Sequence, residues 1–294
     1  MAPPVGRDTI VTLRDDRVVP VWLGGDPEGA PVLFHSATPS GRYQAMQMHE
    51  AAYGAGVRLI SFDRPGYGTA PTTPPGLASV GLDARTVRGA LGIREWAVAG
   101  ISGGGPYAIA TAAAEPDHVS RAMVLGGVGP WAEIDPGAGD PEELRLVRQA
   151  WGGDLDGALE GFAGYAAQAF DGLLERSDAE IVEVYFAGSE PRDLGWLDAT
   201  ARERWAFDAR DALAGYDGYV RDNLSWPGRW DVDLAAVRCP VALVYGDRDR
   251  SCPPAYGEWY ARQLPTATMT VREGAGHGTI CFTDWSAHFA WLTG

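Results

Sequence analysis

The chain has 294 residues, of which 46% are hydrophobic and 21% are charged, and its formal net charge at pH 7 is −15. A polyanion repels phosphate backbones and anionic lipid surfaces, so this composition argues against nucleic-acid and membrane partners. The basic residues are all arginine, which excludes Schiff-base chemistry and a lysine general base.

Short β-rich runs alternate with helical patterns over the first 127 residues. Strands of this length separated by helices indicate βαβ units and a mostly parallel sheet, opened here by an antiparallel pair. The predicted strands are 9–13, 18–23, 31–35, 57–63, 96–100 and 121–127. The predicted helices between them are 43–53, 77–91 and 106–115.

The alternation stops after the sixth strand and resumes about a hundred residues later. Residues 131–230 show helical patterns without convincing strands. The closing elements are strands at 241–247 and 268–271 and helices at 255–264 and 283–292. We therefore expect one α/β core domain of residues 1–130 and 231–294, with residues 131–230 inserted as an all-helical cap subdomain.

The predicted insertion is rich in aromatic residues, and it holds 21 acidic residues against 9 arginines. Most of its aromatic side chains are expected to pack between helices, because aromatic residues dominate protein cores. A minority are expected to line an apolar pocket beneath the insertion. Trp131 and Trp205 are our candidates for substrate contact.

Ser102 lies in the segment VAGISGGGPYAIA, between an apolar strand and an alanine-rich helix. A serine hydroxyl is a poor nucleophile until a base removes its proton, and it must protrude to meet both base and substrate. A sharp strand-to-helix turn with tiny neighbours achieves this, and Gly100-Ile101-Ser102-Gly103-Gly104 matches the corresponding pattern G-x-S-x-G. The N–H of Gly103, at the start of the helix, is expected to face a developing oxyanion.

The chain contains three further motifs: Asp63–Gly68 after the fourth strand, Gly246–Asp249 after the seventh, and Gly274–Gly278 after the eighth. Together with residues 100–104 they make the chain resemble a serine-nucleophile member of the α/β-hydrolase family over nearly its whole length. This resemblance implies the α/β-hydrolase fold, a mostly parallel central sheet flanked by helices. It also implies a triad in the chain order serine, acid, histidine.

The base of such a triad at neutral pH is a histidine, and five are available. His277 is the candidate because it alone lies in a glycine-rich loop after a late strand. The resemblance maps the acid onto Asp249, with Asp247 more suited to capping the turn. Asp135, after the sixth strand, is the alternative acid, since some family members place it there.

The resemblance also implies a second oxyanion donor in the loop after the third strand. The family usually shows His-Gly there, followed by a small residue and proline, whereas this chain has His35-Ser36-Ala37-Thr38-Pro39. Alignment on the proline makes Thr38 the N–H donor, and alignment on His35 makes it Ala37. We prefer Thr38 and leave Ala37 open.

These residues predict two-step acyl transfer to water from an ester, thioester, lactone or amide of a small to medium, mostly apolar substrate. One alternative is a proline-iminopeptidase-like aminopeptidase or amidase, in which Glu203, Asp208 or Asp211 would bind a substrate ammonium. Another is a biosynthetic acyltransferase, cyclase or lyase on the same fold, or a non-catalytic receptor. An intact Ser102, Asp249 and His277 set argues against the receptor.

The remaining expectations concern compartment and cofactors. No apolar run approaches the ~20 residues that span a bilayer. The N-terminal residues lack a basic start followed by an apolar core, so we expect a cytoplasmic protein. Three scattered cysteines fit neither a disulfide framework nor a zinc site. We expect no metal and no cofactor, a small-molecule substrate as partner, and a homodimer as one option.

Overall fold

The structure, a computed structural model, describes residues 5–134, 140–187 and 189–294. Eight strands form one sheet: β1 Arg7–Thr12, β2 Val18–Gly25, β3 Ala30–His35, β4 Val57–Phe62, β5 Trp96–Ile101, β6 Val119–Leu125, β7 Val241–Gly246 and β8 Ala267–Arg272. The α-helices are α1 His49–Gly54, α2 Ala78–Ala90, α3 Gly105–Ala114, α4 Pro141–Trp151, α5 Leu155–Phe170, α6 Asp178–Tyr185, α7 Ala199–Ala212, α8 Asp217–Ser225, α9 Pro254–Gln263, α10 His277–Phe282 and α11 Trp285–Thr293.

The strand order in the sheet is β1-β2-β4-β3-β5-β6-β7-β8. Strand β2 is antiparallel to β1 and β4, and β3 to β8 run parallel. The carboxyl ends of parallel strands meet at one edge, so the loops after β3, β5, β7 and β8 are brought together. The α/β-hydrolase fold predicted from the sequence, a mostly parallel sheet flanked by helices, is confirmed.

Both faces of the sheet are covered by helices. Apolar side chains of α2, α3 and α9 pack on one face, and those of α1, α10 and α11 pack on the other. Every residue of the central strand β5 is buried, with Val98 on the first face and Ala97 and Ala99 on the second. This burial on both faces explains why the strand is a continuous apolar run rather than an alternating one.

The chain between β6 and β7 contains α4 to α8 and no strand among its described residues. Side chains cap several of these helices: Ser177 and Glu180 form a reciprocal capping box at the start of α6. Aliphatic and aromatic residues together make three small apolar clusters, one of which includes Phe282 of the neighbouring α10. The division into a core of residues 1–130 and 231–294 and a separate cap of 131–230 stays a prediction.

Two local details differ from the sequence expectation. The helix expected at 43–53 is a 3₁₀ helix, Arg42–Met48, that continues into the short α1. The loop expected around His277 turns into α10, which begins at that residue. Among the described residues, no helix combines the length and apolar character needed to cross a bilayer.

Candidate active site

Ser102 occupies the sharp turn between β5 and α3, and its backbone φ of 50° lies in the left-handed region. A non-glycine residue there carries strain that the surrounding structure must hold in place. The turn is closed so tightly that a Cβ on Gly100 would lie 2.3 Å from the Gly104 carbonyl oxygen. A Cβ on Gly104 would lie 2.2 Å from the His35 carbonyl oxygen. The two outer glycines of the motif are therefore required by close backbone approach.

His277, the first residue of α10, is paired with Asp249 in the loop after β7. The distance between Nδ1 of His277 and Oδ2 of Asp249 is 2.7 Å. Oδ1 of Asp249 accepts the N–H groups of Ser251 at 2.9 Å and Cys252 at 2.7 Å. The carboxylate is thus held on both oxygens and fully buried, and it selects the tautomer with the proton on Nδ1. Nε2 of His277 is left as an acceptor.

The surroundings of the His277 imidazole also shift its pKa. Burial acts to lower this pKa, while the side chains of Cys281, Cys252 and Asp249 act to raise it, and the net pKa lies well above the ordinary value. Burial raises the pKa of the Cys252 thiol far above its usual range, so this group is neutral. Among the groups that raise the pKa of His277, the Asp249 carboxylate acts both through its charge and through its hydrogen bond with Nδ1.

Thr38 and Gly103 lie against each other across the turn. A Cβ on Gly103 would lie 3.2 Å from the backbone nitrogen of Thr38. The N–H of the other candidate, Ala37, donates to Oε1 of Gln44 at 2.7 Å and is therefore occupied. The N–H of Thr38 has no acceptor among the described residues. This arrangement favours Thr38 over Ala37 as the second donor.

A buried ion pair supports the loop that carries Thr38. The Thr38 hydroxyl donates to Oδ2 of Asp222 on α8 at 2.6 Å. Arg64 pairs with the same carboxylate at 2.6 Å and also donates to the carbonyl oxygens of Ser36 at 2.7 Å and Ala37 at 3.0 Å. Despite its complete burial, the pKa of Asp222 is lowered, because Arg64 and the hydroxyl donors favour the charged form.

Ser102, His277 and Thr38 line one cavity of about 260 Å³. Its walls come from the loops at the sheet edge, from α10 and from the helical segment between β6 and β7. The lining residues are Ala37, Thr38, Pro39, Ser40, Ile101, Ser102, Tyr185, Phe186, Ser189, Asp193, Leu194, Trp205, Ser251, His277, Gly278, Cys281 and Phe282.

The two tryptophan candidates have different positions. Trp205 lines the cavity and packs against Phe186 and Phe282. Trp131 is not among the lining residues that the structure describes. Its indole N–H donates to the Tyr256 hydroxyl at 3.0 Å, and its ring packs edge-on against Trp226. The structure thus places Trp131 in a packing cluster rather than at the candidate site.

The other histidines and the alternative acid also lie elsewhere. His35 is buried against Thr111 at 2.9 Å, and burial together with the Arg64 charge lowers its pKa to about 3. The remaining histidines, His49, His118 and His288, are absent from the cavity lining. Asp135 lies outside the residues that the structure describes.

Two side chains at the site had no recognisable signal in the sequence. Asp193 accepts the N–H groups of Gly278 at 2.8 Å and Thr279 at 2.7 Å, and so caps the helix that begins with His277. Cys281 places its Sγ 3.8 Å from Nε2 of His277. A four-residue spacing on a helix would have indicated the cysteine contact, had α10 been predicted.

The carboxylates considered for an ammonium-binding site do not line the cavity. Asp208 is buried and accepts the N–H of Gly41 at 3.2 Å, and Asp211 pairs with Arg42 at 3.0 Å. Glu203 is exposed and also absent from the lining. Within the described residues there is no group of three or more histidine, cysteine, aspartate or glutamate side chains that could hold a metal ion.

Comparison with known proteins agrees with the fold described above. A family model described as alpha/beta hydrolase fold matches residues 30–282. The chain therefore belongs to the α/β-hydrolase family, and it is an enzyme with the hydrolase activity of that fold.

The individual relatives share a third or less of their residues with this chain. A 2-hydroxy-6-oxononadienedioate/2-hydroxy-6-oxononatrienedioate hydrolase of Paraburkholderia phymatum is 33% identical over 84% of this chain and 80% of its own length. A pimeloyl-[acyl-carrier protein] methyl ester esterase of Chromobacterium violaceum is 29% identical over 87% of this chain and 89% of its own. Among solved structures, a bromoperoxidase of Bacillus anthracis superposes with a TM-score of 0.69 at 19% identity, covering 97% and 98% of the two chains.

Proposed function

We propose that this protein is a serine hydrolase that cleaves esters of small to medium, mostly apolar substrates through an acyl-enzyme. The observation that carries the proposal is the meeting of Ser102 and the His277–Asp249 pair at one cavity. A protruding serine, an imidazole whose Nε2 can accept a proton and a buried carboxylate are the three parts that acyl transfer needs.

In the first step, Oγ of Ser102 forms a bond to the ester carbonyl carbon while its proton passes to Nε2 of His277. The bond between that carbon and the leaving oxygen then breaks, and the leaving alcohol departs with the proton from Nε2. In the second step, a water molecule gives a proton to Nε2 and bonds to the acyl carbon. Ser102 recovers the proton as the acid product departs, so the enzyme is unchanged.

The backbone N–H groups of Gly103 and Thr38 are the proposed donors to the oxyanion. Their nearness across the turn supports a shared acceptor between them. The N-terminus of α3, which begins three residues after Ser102, adds a favourable dipole for negative charge. Loss of one such donor typically costs about 10²–10³ in turnover.

The lining of the cavity supports an ester with an apolar acyl part. Phe186, Leu194, Trp205 and Phe282 contribute apolar surface, and the volume of about 260 Å³ suits a short to medium acyl chain. The name of the Chromobacterium violaceum relative, a methyl ester esterase, points to the same bond type. The aminopeptidase alternative is weaker, since Glu203, Asp208 and Asp211 are not at the cavity.

Fluorophosphonate labelling and p-nitrophenyl butyrate hydrolysis test the mechanism together. The Ser102→Ala variant should lose both labelling and turnover. Ser251→Ala is the matched control, because Ser251 lines the same cavity without being the proposed nucleophile. Full ester turnover by Ser102→Ala would overturn the proposal.

Two further substrate sets separate the alternatives. Turnover of aminoacyl-naphthylamides above that of esters would favour the peptidase. A burst of product without turnover in water, relieved by an added alcohol or amine, would favour a transferase. The cytoplasmic location and the homodimer option stay predictions.

A further inference from the structure

A second cavity, of about 300 Å³, opens beside the one that holds Ser102. The two cavities share five lining residues: Tyr185, Ser189, Asp193, Ser251 and His277. The second cavity is much more polar, and three arginines line it: Arg192, Arg248 and Arg250. We call it the arginine cavity.

The negative charges around the arginine cavity are already engaged by donors. Glu190 is paired with Arg192 at 2.5 Å. Both carboxylate oxygens of Asp193 accept backbone N–H groups of α10. Asp249, which stands between Arg248 and Arg250 in the sequence, is hydrogen-bonded to Nδ1 of His277. In the lining, three arginines therefore face two carboxylates, and one of these carboxylates is already paired with an arginine.

Arg248 and Arg250, in contrast, have guanidinium groups without partners in the part of the chain that the structure describes. Both residues are exposed, and neither guanidinium has a hydrogen bond or ion pair with any residue that the structure describes. They flank the candidate active site of a chain whose net charge is −15. A guanidinium offers a rigid fork of donors that matches the two oxygens of a carboxylate or phosphate. An anionic oxygen group is thus the ligand chemistry that this cavity fits.

The position of the arginine cavity relative to the triad indicates which part of a substrate enters it. The cavity touches His277 but its lining includes neither Ser102 nor Thr38. In the mechanism proposed above, the leaving group must lie next to His277, because it receives its proton from Nε2. The acyl group, bonded to Ser102, occupies the first cavity.

We propose that Arg248 and Arg250 form a subsite for an anionic leaving group, a carboxylate-bearing or phosphate-bearing alcohol. The inference rests on the proposed ester hydrolysis and names its substrate class: an apolar acyl group esterified to an anionic alcohol. The arginines act on substrate binding, so their effect belongs mainly to KM.

Three butyrate esters test the subsite: 4-(butyryloxy)benzoate, its neutral methyl ester, and 4-(butyryloxy)phenyl phosphate. The measured quantity is the ratio of kcat/KM for an anionic ester to kcat/KM for the neutral one. The double variant Arg248→Gln/Arg250→Gln should lower this ratio about tenfold, as expected for two exposed charge pairs. Differences in leaving-group reactivity cancel, because each ratio is compared between variants.

The paired change Arg94→Gln and Arg262→Gln is the matched control, since both are exposed arginines outside both cavities and together remove two charges. It makes the same kind of charge change and should leave the ratio at the wild-type value. Equal ratios in the control and the double variant would overturn the subsite. A drop for one anionic ester alone identifies carboxylate or phosphate as the group recognised.

A fourth substrate, the mono-p-nitrophenyl ester of glutaric acid, carries its anion on the acyl side. An equal fall in its kcat/KM in the double variant would overturn the assignment to the leaving group. Protection against fluorophosphonate labelling gives a measurement that needs no turnover. 4-Hydroxybenzoate should slow labelling of the wild type more than its methyl ester does, and this difference should vanish in the double variant.

These readouts separate the subsite from the mechanism. Ester turnover that survives in Ser102→Ala contradicts the proposed hydrolysis. Turnover that depends on Ser102 but shows no anion effect contradicts the arginine subsite alone.

Discussion

The Thr38 hydroxyl and the Asp222 carboxylate, 184 positions apart in the chain, are joined by a hydrogen bond of 2.6 Å. Asp222 is fully buried and also accepts from the hydroxyls of Tyr67 at 3.0 Å and Tyr107 at 2.6 Å. Thr38 supplies a proposed oxyanion donor through its backbone. Its side chain therefore ties that donor to helix α8, and the position of the donor depends on a carboxylate far from the chemistry.

Thr38→Val removes the hydroxyl at nearly constant shape and keeps the backbone N–H. We expect kcat to fall roughly ten- to a hundredfold with little change in KM, because a small misplacement weakens contacts made in the transition state. Thr38→Ser keeps the hydroxyl and should recover most of kcat. The measurements are steady-state kinetics with p-nitrophenyl butyrate and the inhibition constant of a boronic acid. Similar kcat values for the valine and serine variants would contradict the tie between Thr38 and Asp222.

Asp249→Asn should change the pH dependence as well as the rate. Together with Cys281 and Cys252, the carboxylate raises the pKa of His277 above its ordinary value, and only neutral His277 can act as a base. Wild-type kcat/KM should therefore be full at high pH and fall as the pH drops through that raised pKa. The variant should lose about 10⁴ in kcat. Its residual activity should persist to lower pH, as measured in a pH–rate profile. If kcat/KM falls at the same acidic pH in the variant and in the wild type, a group other than His277 titrates there.

Asp193→Ala removes the cap of the helix that begins with His277. The free energy of unfolding should fall by about 1 kcal/mol, as for a lost N-cap. Asp198→Ala is the matched control, because Asp198 caps α7 by accepting the Ala201 N–H at 2.8 Å. Thermal unfolding should show similar losses in both variants, whereas kcat should fall only in Asp193→Ala. Equal kcat values would show that the cap does not position His277.

Asp208→Asn should stabilise the protein increasingly as the pH rises. Burial first, and then the charges of Asp211 and Asp63, raise the pKa of Asp208 well above its usual value. The folded state thus holds a proton that the unfolded chain releases above its ordinary pKa. Stability is lost as the pH rises toward the folded pKa, by up to about 1.4 kcal/mol per unit. Asparagine is neutral throughout and can still accept the Gly41 N–H.

Thermal unfolding of Asp208→Asn at pH 5.5, 7 and 8.5 checks the sign of this effect. Asp156→Asn makes the same side-chain substitution at an exposed position of α5 and should move the midpoint little. A variant that is less stable than the wild type at pH 8.5 would show that Asp208 is held as a paired anion.

The sheet was predictable because its strands are buried apolar runs set between helices, and all eight appear within a few residues of their expected places. The nucleophile turn was predictable for a different reason. Gly100 is required by a backbone contact only four residues away, with the Gly104 carbonyl, so this part of the pattern carries the geometry directly. Local constraints of this kind can be recognised in the sequence.

Side-chain contacts between distant segments cannot be recognised in this way. Nothing near Asp222 or Asp193 in the sequence indicates that these carboxylates reach Thr38 and the start of α10. Trp131 and Trp205 are alike as aromatic residues of one helical stretch, yet only Trp205 lines the cavity with Ser102. The six-residue helix α10 escaped prediction because it is too short to show a helical period after a glycine-rich loop.

Two acidic side chains of the segment between β6 and β7 contact different elements of the candidate active site: Asp193 the start of α10, and Asp222 the loop after β3. A chimaera that transplants this segment from another member of the family would bring new walls for the substrate. It would also have to reproduce the contacts of Asp193 and Asp222. Without them, the chimaera would gain a new substrate selectivity but lose the alignment of its catalytic groups.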